Sequence, residues 1–272
     1  MHPKRIVCLT EETTETLYLL GEEQRIVGIS GFTVRPPRAR REKPRVSAFL
    51  SANIDKILAL EPDLVLGFSD LQADIAAALI RAGVAVHVFN QRSVAGILAM
   101  VEVLGGMIGC EAKAQMLAEQ LARAVGETRR AGAALEVRPR VYFEEWDTPQ
   151  ISAIRWVSEL IEIAGGEDCF PELARCALGK DRIIQDAGEV VRRAPDIIIG
   201  SWCGKKFQPA RLRARPGWEL IPAVRDGEVH EIKSPLILQP GPAALTDGLR
   251  ALHTLISAWA ERYAVSRRNA SR

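Results

Sequence analysis

Short apolar runs rich in β-branched residues alternate with longer helical segments over most of the chain, and this alternation limits the fold more than any other feature. Parallel strands need a crossover between them, usually a helix, so the pattern predicts parallel sheets covered by helices and an α/β fold class. The runs are apolar at nearly every position, as strands are when both faces of a sheet are buried. The predicted strands are 6–9, 26–29, 64–67, 84–89, 140–143, 196–200 and 228–232, and the predicted helices are 12–20, 53–60, 70–82, 93–104, 110–135, 154–164, 188–193 and 243–263.

The helix predicted at 110–135 is too long for an ordinary crossover, and the alternation of strands and helices begins again after it. We therefore expect two Rossmann-like lobes with parallel sheets, joined by one long backbone helix. The expected divisions are an N-terminal lobe at 1–108, a linking helix at 109–136, a C-terminal lobe at 137–264 and an irregular tail at 265–272.

The composition is that of an ordinary globular protein, since 47% of the 272 residues are apolar and 26% are charged. Lysine and arginine exceed aspartate and glutamate by 36 − 34 = 2 residues, and so small a surplus argues against a dedicated nucleic-acid-binding protein. No run approaches the roughly 20 apolar residues of a membrane-spanning helix. We therefore expect no membrane insertion and no nucleic-acid partner.

The cysteines and the N-terminus bear on the cellular compartment. Five cysteines without a C-x-x-C motif do not suggest a disulfide framework and favour a reducing compartment. The first apolar run spans only 6–9 and is followed by Thr10, Glu11 and Glu12, unlike the longer apolar core of a secretory signal. As written, the sequence predicts a cytoplasmic protein, or a periplasmic one if the true start lies upstream.

Ligands of open parallel sheets bind beyond the carboxyl ends of the strands. One loop in such a position places Trp146 among three acidic residues, and another combines Trp202 with a cysteine and two lysines. Large aromatic side chains there can form walls for a flat, partly apolar ligand, although each tryptophan can also pack beneath its own loop. Loops of the first lobe add Phe32 and Phe49, so a shared ligand surface is favoured.

Common catalytic signatures are missing from the sequence. It contains neither a dinucleotide-binding glycine motif nor a nucleophile elbow, and no histidine is at metal-ligand spacing from another histidine or a cysteine. His87 and His253 lie in apolar surroundings and are expected to be structural. His230 and Cys203 remain candidates for a metal ligand or a reactive group, with a small apolar filler as the alternative for Cys203. Lys205 can attract an anionic group or belong to a solvated turn.

Three stretches carry a resemblance to a known family. Residues 54–65 (IDKILALEPDLV), 160–168 (LIEIAGGED) and 194–198 (APDII) resemble the cobalamin/ferric-siderophore type of ABC-transporter substrate-binding protein, the helical-backbone class III. The resemblance covers nearly all of 5–259 and is closest to the members that bind vitamin B12. It implies a ligand cleft between the lobes, binding without catalysis, no required cofactor, and a corrinoid such as cobalamin as the ligand.

The same resemblance implies a set of ligand contacts. Phe32 stands where the B12-binding members have a ligand-facing tyrosine, and Phe49 stands where they have a tryptophan. Leu236 replaces a further aromatic residue, and Trp146 and Trp202 can compensate for it. Hydrogen bonds to the amide rim of a corrinoid are expected from Glu145, Lys205 and Gln239. The full set of expected ligand-binding residues is Phe32, Phe49, Glu145, Trp146, Trp202, Cys203, Lys205, Leu236 and Gln239.

The sequence departs from the family at the two glutamates that dock on a transporter. Ala73 and Gly188 occupy these positions, with Asp74 and Glu189 next to them. A shift by one residue on a helix turns a side chain by about 100°, so docking would be compromised.

The sequence therefore favours a cytoplasmic carrier, chaperone or sensor that binds a large planar ligand without catalysis. One alternative is an exported ABC-transporter substrate-binding component for cobalamin, heme or a ferric siderophore, whose start is misassigned. The other is an enzyme that acts on a corrinoid or tetrapyrrole through Cys203 and His230.

Overall fold

A computed structural model describes residues 2–270, which form two compact α/β units and confirm the predicted fold class. The boundary between the two units lies inside the long helix, between Ala122 and Arg123. A short segment late in the sequence also belongs to the first unit. Unit 1 contains 2–91, 95–122 and 239–242, and unit 2 contains 92–94, 123–238 and 243–270.

A five-stranded parallel sheet forms the centre of unit 1. Its strands are β1 (Ile6–Cys8), β2 (Ile26–Ser30), β3 (Arg45–Ser47), β4 (Leu64–Phe68) and β5 (Val86–Phe89). They lie in the order β3-β2-β1-β4-β5, which makes the wholly buried β1 the middle strand. β3 was not predicted, because only Val46 among its three residues is apolar and buried.

Five helices belong wholly or almost wholly to unit 1. They are α1 (Glu11–Leu19), α2 (Ala39–Glu42), α3 (Ile54–Leu58), α4 (Ala73–Arg81) and α5 (Val94–Ile108), and 3₁₀ turns occur at Glu23–Arg25 and Asp70–Gln72. Asn53 caps α3 as predicted, because its side-chain oxygen accepts a hydrogen bond from the Lys56 amide at 2.8 Å. The cap satisfies one of the amides that a helix start leaves without a partner.

The long helix α6 (Glu111–Ala133) has one buried apolar stripe, which includes Ala114, Ala118, Leu121 and Val125. The spacing of three and four residues keeps this stripe on one side of the helix. At Gly105 of α5 an added Cβ would lie 2.1 Å from the Ala114 side chain. Small residues therefore permit the close packing of α5 on α6.

The sheet of unit 2 is mixed. Its strands are β6 (Arg140–Asp147), β7 (Gln150–Ser152), β8 (Glu167–Asp168), β9 (Ile197–Gly200) and β10 (Val229–Glu231). They run in the order β10-β9-β6-β7, with β8 also paired to β6. β7 is antiparallel to β6 and forms a hairpin with it, whereas the other pairs are parallel. This hairpin was not predicted, and it extends β6 through a polar segment that the sequence suggested to be a loop.

The helices of unit 2 surround this sheet. They are α7 (Arg155–Ala164), α8 (Pro171–Ala174), α9 (Gly188–Arg193), α10 (Pro209–Arg213), α11 (Pro222–Arg225), α12 (Ser234–Ile237) and α13 (Leu249–Ala270), with 3₁₀ turns at Gly179–Arg182 and Trp218–Leu220 and a π-helical turn at Ala244–Gly248. Gly165 ends α7 in the left-handed conformation with φ 99°, as its position after an apolar helix suggested.

The last helix continues further than its apolar pattern predicted. α13 extends to Ala270, through most of the segment at 265–272 that was expected to be irregular, because alanine and arginine are good helix formers even on a polar surface. Positions 271 and 272 lie outside the described residues. Within 2–270, no helix is both long enough and apolar enough to cross a lipid bilayer.

Candidate ligand-binding site

Two phenylalanines lie on neighbouring loops at the carboxyl ends of β2 and β3 in unit 1. Gly31 donates its amide to the Ser47 carbonyl at 2.7 Å, and a Cβ at Gly31 would lie only 3.1 Å from that oxygen. Glycine therefore allows the two loops to approach closely. Phe32 is 49% exposed and Phe49 is partly buried. Both predicted residues thus occupy the strand-end face of unit 1, by which we mean the loops that follow β1 to β5.

Gln72 connects three of these loops, and sequence reasoning did not identify it. Its side-chain oxygen accepts from the Phe68 amide at 2.9 Å, while its side-chain nitrogen donates to the Phe49 and Leu9 carbonyls at 3.0 and 3.4 Å. Only 1% of the residue is exposed. A buried amide with partners on three loops fixes their relative positions, and no sequence motif announces such a role.

The first five residues of α1 include three buried acidic residues. Glu11, Glu12 and Glu15 are 6%, 1% and 8% exposed. Glu15 pairs with Arg35 at 2.8 Å, and Glu12 accepts a hydrogen bond from the Thr10 hydroxyl at 2.6 Å. Burial, reinforced by the neighbouring acids, raises the pKa of Glu11 to about 8. Burial likewise raises the pKa of Glu12 to about 7, against the hydrogen bond from Thr10.

A segment from late in the sequence lies against these acids. A Cβ on Gly241 would lie 2.5 Å from the Glu12 side chain, so only glycine permits this contact. Gln91 donates its side-chain amide to the Pro240 carbonyl at 2.8 Å. Gln239, which is partly buried, lies 3.5 Å from Glu11 at hydrogen-bonding distance. Gln239 is therefore a residue of unit 1, although sequence position suggested the second lobe.

Glu144 is the centre of a buried network at the strand ends of unit 2. Its carboxylate accepts hydrogen bonds from the Tyr142 hydroxyl at 2.9 Å and from the Trp202 indole at 2.9 Å. Arg215 adds two more at 2.5 and 3.0 Å. Trp202 is consequently only 2% exposed and packs edge-on against Phe207. Trp202 therefore packs beneath its own loop, which is the alternative that the sequence left open for it. Arg215 was not predicted.

Trp146 and Lys205 lie at the surface of this network. The Lys205 Nζ atom is 4.1 Å from the centre of the Trp146 ring and also contacts the Asp147 carboxylate. Arg211 approaches the other Asp147 oxygen at 3.1 Å. Burial opposes ionisation of Asp147, but the two cations outweigh it and lower its pKa. Trp146 remains partly exposed, with its indole nitrogen bonded to the Thr148 carbonyl.

Glu145 is held by a buried arginine. Arg182 is 1% exposed and donates to both carboxylate oxygens of Glu145, at 2.7 and 3.1 Å, and to the Ser152 carbonyl at 2.5 Å. A bidentate pair of this kind fixes the orientation of both side chains. Glu145 was expected to form a hydrogen bond with a ligand, whereas in the structure its carboxylate accepts hydrogen bonds from Arg182. Arg182 was not predicted from the sequence.

Cys203, Leu236 and His230 are the remaining predicted residues, and the Cys203 amide donates to the Glu145 carbonyl at 3.4 Å. Cys203 is exposed in the loop after β9, and Leu236 is partly exposed in α12. His230 of β10 is 2.9 Å from Glu228, the residue that precedes the strand. Across residues 2–270, no three histidine, cysteine or acidic side chains are placed to hold a metal ion.

The two positions that the resemblance matches to the docking glutamates fall at helix starts. Ala73 and Asp74 are exposed in the first turn of α4. Gly188 begins α9, and its neighbour Glu189 pairs with Arg192 at 2.5 Å and with Arg193 at 2.9 Å. Of the two adjacent acids, Asp74 is thus the more exposed.

Comparison with known proteins identifies the relatives of this chain. The family described as periplasmic binding protein matches residues 6–236. The uncharacterized ABC transporter substrate-binding lipoprotein YvrC of Bacillus subtilis is 24% identical over 266 residues, which are 92% of this chain and 79% of that protein. A cobalamin-binding protein of Halobacterium salinarum is 28% identical over 200 residues, so the match spans 72% of this chain but only 53% of the relative.

A solved structure shows the same architecture. The periplasmic heme-binding protein BhuT in complex with two hemes matches with a TM-score of 0.79 at 25% identity, over 94% of this chain and 99% of that one. These relatives are binding proteins and not enzymes, which agrees with the resemblance seen in the sequence. The chain belongs to the periplasmic binding protein family.

Proposed function

We propose that this chain binds a corrinoid such as cobalamin and delivers it to an ABC transporter as the exported substrate-binding component. The name of the Halobacterium relative supports the ligand, and the name of the Bacillus relative supports the transport role. Both favour the exported alternative over the cytoplasmic carrier that the N-terminal sequence suggested. A lipoprotein or periplasmic location is therefore part of the proposal.

The observation that carries the proposal is the pair of phenylalanines on the strand-end face of unit 1. Phe32 exposes half of its surface beside the loop of Phe49, and both follow strands of a parallel sheet, where ligands of such sheets bind. Exposed aromatic rings on closely held loops suit the broad apolar face of a macrocycle. The loops are fixed by Gln72 and Gly31, so little ordering is needed on binding.

Trp146 of unit 2 stays a candidate aromatic contact with the ligand. Its ring is partly exposed and carries the Lys205 ammonium on one face. Trp202 and Glu145 act as positioning residues, because the first is buried on Glu144 and the second is held by Arg182. Cys203, Leu236 and Gln239 stay candidates for contact with the ligand.

Heme is the second candidate ligand. The match to the heme-bound structure has a TM-score of 0.79 at 25% identity, and an apolar aromatic face serves a porphyrin as well as a corrin. Both ligands absorb visible light, so one titration format compares them directly.

The test is a titration of the full chain with cyanocobalamin, dicyanocobinamide and hemin. Isothermal calorimetry and visible absorbance measure the binding. We expect saturable corrinoid binding that falls about tenfold or more in Phe32→Ala and in Trp146→Ala, because each change removes one aromatic wall. Ile80→Ala and Leu220→Ala are matched controls, since these exposed side chains lie outside the strand-end loops. Unchanged affinity in both aromatic variants would contradict the assigned site.

A further inference from the structure

Three buried acceptor oxygens lie without a donor in one part of unit 1. They are Oε2 of Glu11, Oε2 of Glu12 and Oε1 of Gln91, and within residues 2–270 none of them has a hydrogen-bond partner. Each residue is more than nine-tenths buried. A buried acceptor left without a donor costs free energy, so three together are unusual in a folded protein.

The late segment 239–242 contacts all three residues that carry these oxygens. Gln91 is anchored to Pro240, Gly241 packs on the Glu12 side chain, and Gln239 reaches Glu11 only at 3.5 Å. The segment therefore holds all three residues around the start of α1. Gln91 is an independent member of the group, because it follows β5 and not β1.

We propose that Glu11, Glu12 and Gln91 form an acceptor subsite for N–H donor groups of the ligand, and that this subsite selects a ligand with carboxamide groups over one with carboxylates. The inference rests on the proposed function and deepens it, since a corrinoid has an amide rim and a heme has propionates. Gln239 is the residue whose long contact to Glu11 an incoming amide replaces.

The charges around the subsite support this selection. Glu15, the third of these acids, pairs with Arg35, while among the described residues Glu11 and Glu12 form no ion pair within 4 Å. Arg40 attracts the Glu11 carboxylate from farther away, but burial and the neighbouring acids outweigh it. An anionic group placed beside them would meet like charge or an acceptor lone pair. Glu11, with its pKa raised to about 8, can also donate a proton to an amide carbonyl while its other oxygen, which Gln239 reaches only at 3.5 Å, accepts the amide N–H. A primary carboxamide offers both partners.

The experiment compares cyanocobalamin with a monocarboxylic derivative in which one rim amide is hydrolysed, and with hemin. The proteins are the full chain, Glu11→Gln, Glu12→Gln and Gln239→Ala. Replacing Glu by Gln keeps the shape but converts one acceptor into an N–H donor, so we expect about tenfold weaker binding of cyanocobalamin. We also expect the preference over the carboxylic derivative and over hemin to shrink by a similar factor. Glu102→Gln, an exposed change on α5, is the matched control.

The outcomes separate this inference from the function on which it rests. Cyanocobalamin binding that is equal in the wild type, Glu11→Gln and Glu12→Gln, with folding verified by circular dichroism, overturns the subsite but leaves the corrinoid function standing. Failure of the wild type to bind any corrinoid overturns both. Gln239→Ala keeps the test decisive if a glutamate variant does not fold, because it removes the donor that the ligand amide replaces on Glu11. We expect it to strengthen cyanocobalamin binding, and unchanged binding in this variant would also overturn the subsite.

Discussion

The strand ends of the two units treat buried acids in opposite ways. In unit 2, Glu144, Glu145 and Asp147 are each paired with an arginine or lysine. In unit 1, Glu11 and Glu12 are also buried, and among the described residues their hydrogen bonds come from hydroxyl, amide and backbone groups. Arg40 attracts the Glu11 carboxylate, but burial and the neighbouring acids outweigh it. The pKa of Asp147 is therefore lowered, whereas the pKa values of Glu11 and Glu12 are raised. Burial alone does not set the charge state of a carboxyl, because the partner decides it.

We infer that the buried acids of unit 2 serve the structure, whereas those of unit 1 are available to a ligand. Paired charges in unit 2 fix Trp202, Trp146 and their loops, and each of the three carboxylates there has a cation of the same unit beside it. Unpaired acceptors in unit 1 leave capacity for a ligand. Each prediction below removes one side of this contrast, beginning with the largest expected effect.

Removal of Arg215 should be the most destabilising change. Arg215→Ala leaves Glu144 buried among Tyr142 and Trp202 without its countercharge, which costs about 3–5 kcal/mol in unfolding free energy. The measurement is chemical denaturation monitored by fluorescence and circular dichroism. Arg213→Ala, exposed on the neighbouring α10, should change stability by less than about 0.5 kcal/mol. Equal small losses in both variants would show that the Glu144 network does not hold unit 2 together.

Stability should fall as pH rises through neutrality, because of unit 1. Glu11 and Glu12 bind protons more tightly when folded, with pKa values of about 8 and 7 against an ordinary value of 4.5. Between about pH 4.5 and 7 the folded chain holds protons that the unfolded chain has lost, so the unfolding free energy decreases with pH. Their stabilising contribution is complete below about pH 4.5 and is lost as the pH passes the folded pKa values.

Glu12→Gln should flatten this dependence. An amide cannot ionise, so the variant should be more stable than the wild type by about 1–3 kcal/mol at pH 8 and nearly equal to it at pH 4.5. Unfolding free energies measured across this range check the sign. A wild type whose stability rises from pH 5 to 8, with no difference in the variant, would contradict the unpaired burial of Glu12.

Loss of Gln72 should reduce the free energy of unfolding less than the loss of Arg215 does. Its main effect should be on the mobility of the loops of unit 1. Gln72→Ala leaves the Phe68 amide and two carbonyls without their partner, at a cost of about 1–2 kcal/mol. Hydrogen exchange should show faster exchange in the loops of Leu9 and Phe49 and no change in unit 2. If hydrogen exchange in these loops is equally fast in the wild type and in Gln72→Ala, then Gln72 does not hold the loops in position.

The sequence predicted the periodic part of the fold and little of its polar chemistry. Apolar strands such as 6–9 and 64–67, the cap at Asn53 and the helix end at Gly165 have local signals, and all four appear in the structure. The hairpin of β7 has no such signal, because β6 continues through the acidic run that reads as a loop.

The partners of the site residues depend on distant contacts. Arg215 reaches Glu144 from 71 positions away and Arg182 reaches Glu145 from 37 positions away, separations that no motif records. Gln239 is separated from Glu11 by 228 positions, so its membership of unit 1 follows only from tertiary structure. Phe32, Phe49 and Trp146 could be placed on strand ends from pattern alone, since the position of a loop after a strand is local information.

The most direct test of corrinoid binding begins with the visible absorption spectrum and the mass spectrum of the protein purified from its own host. Titration with cyanocobalamin against hemin as competitor then measures preference. We predict a bound or readily bound corrinoid, with saturable affinity in the micromolar range or tighter and weaker displacement by hemin than by cobinamide. A Soret band in the purified protein, together with no detectable affinity for cyanocobalamin or cobinamide, would contradict a corrinoid as the ligand.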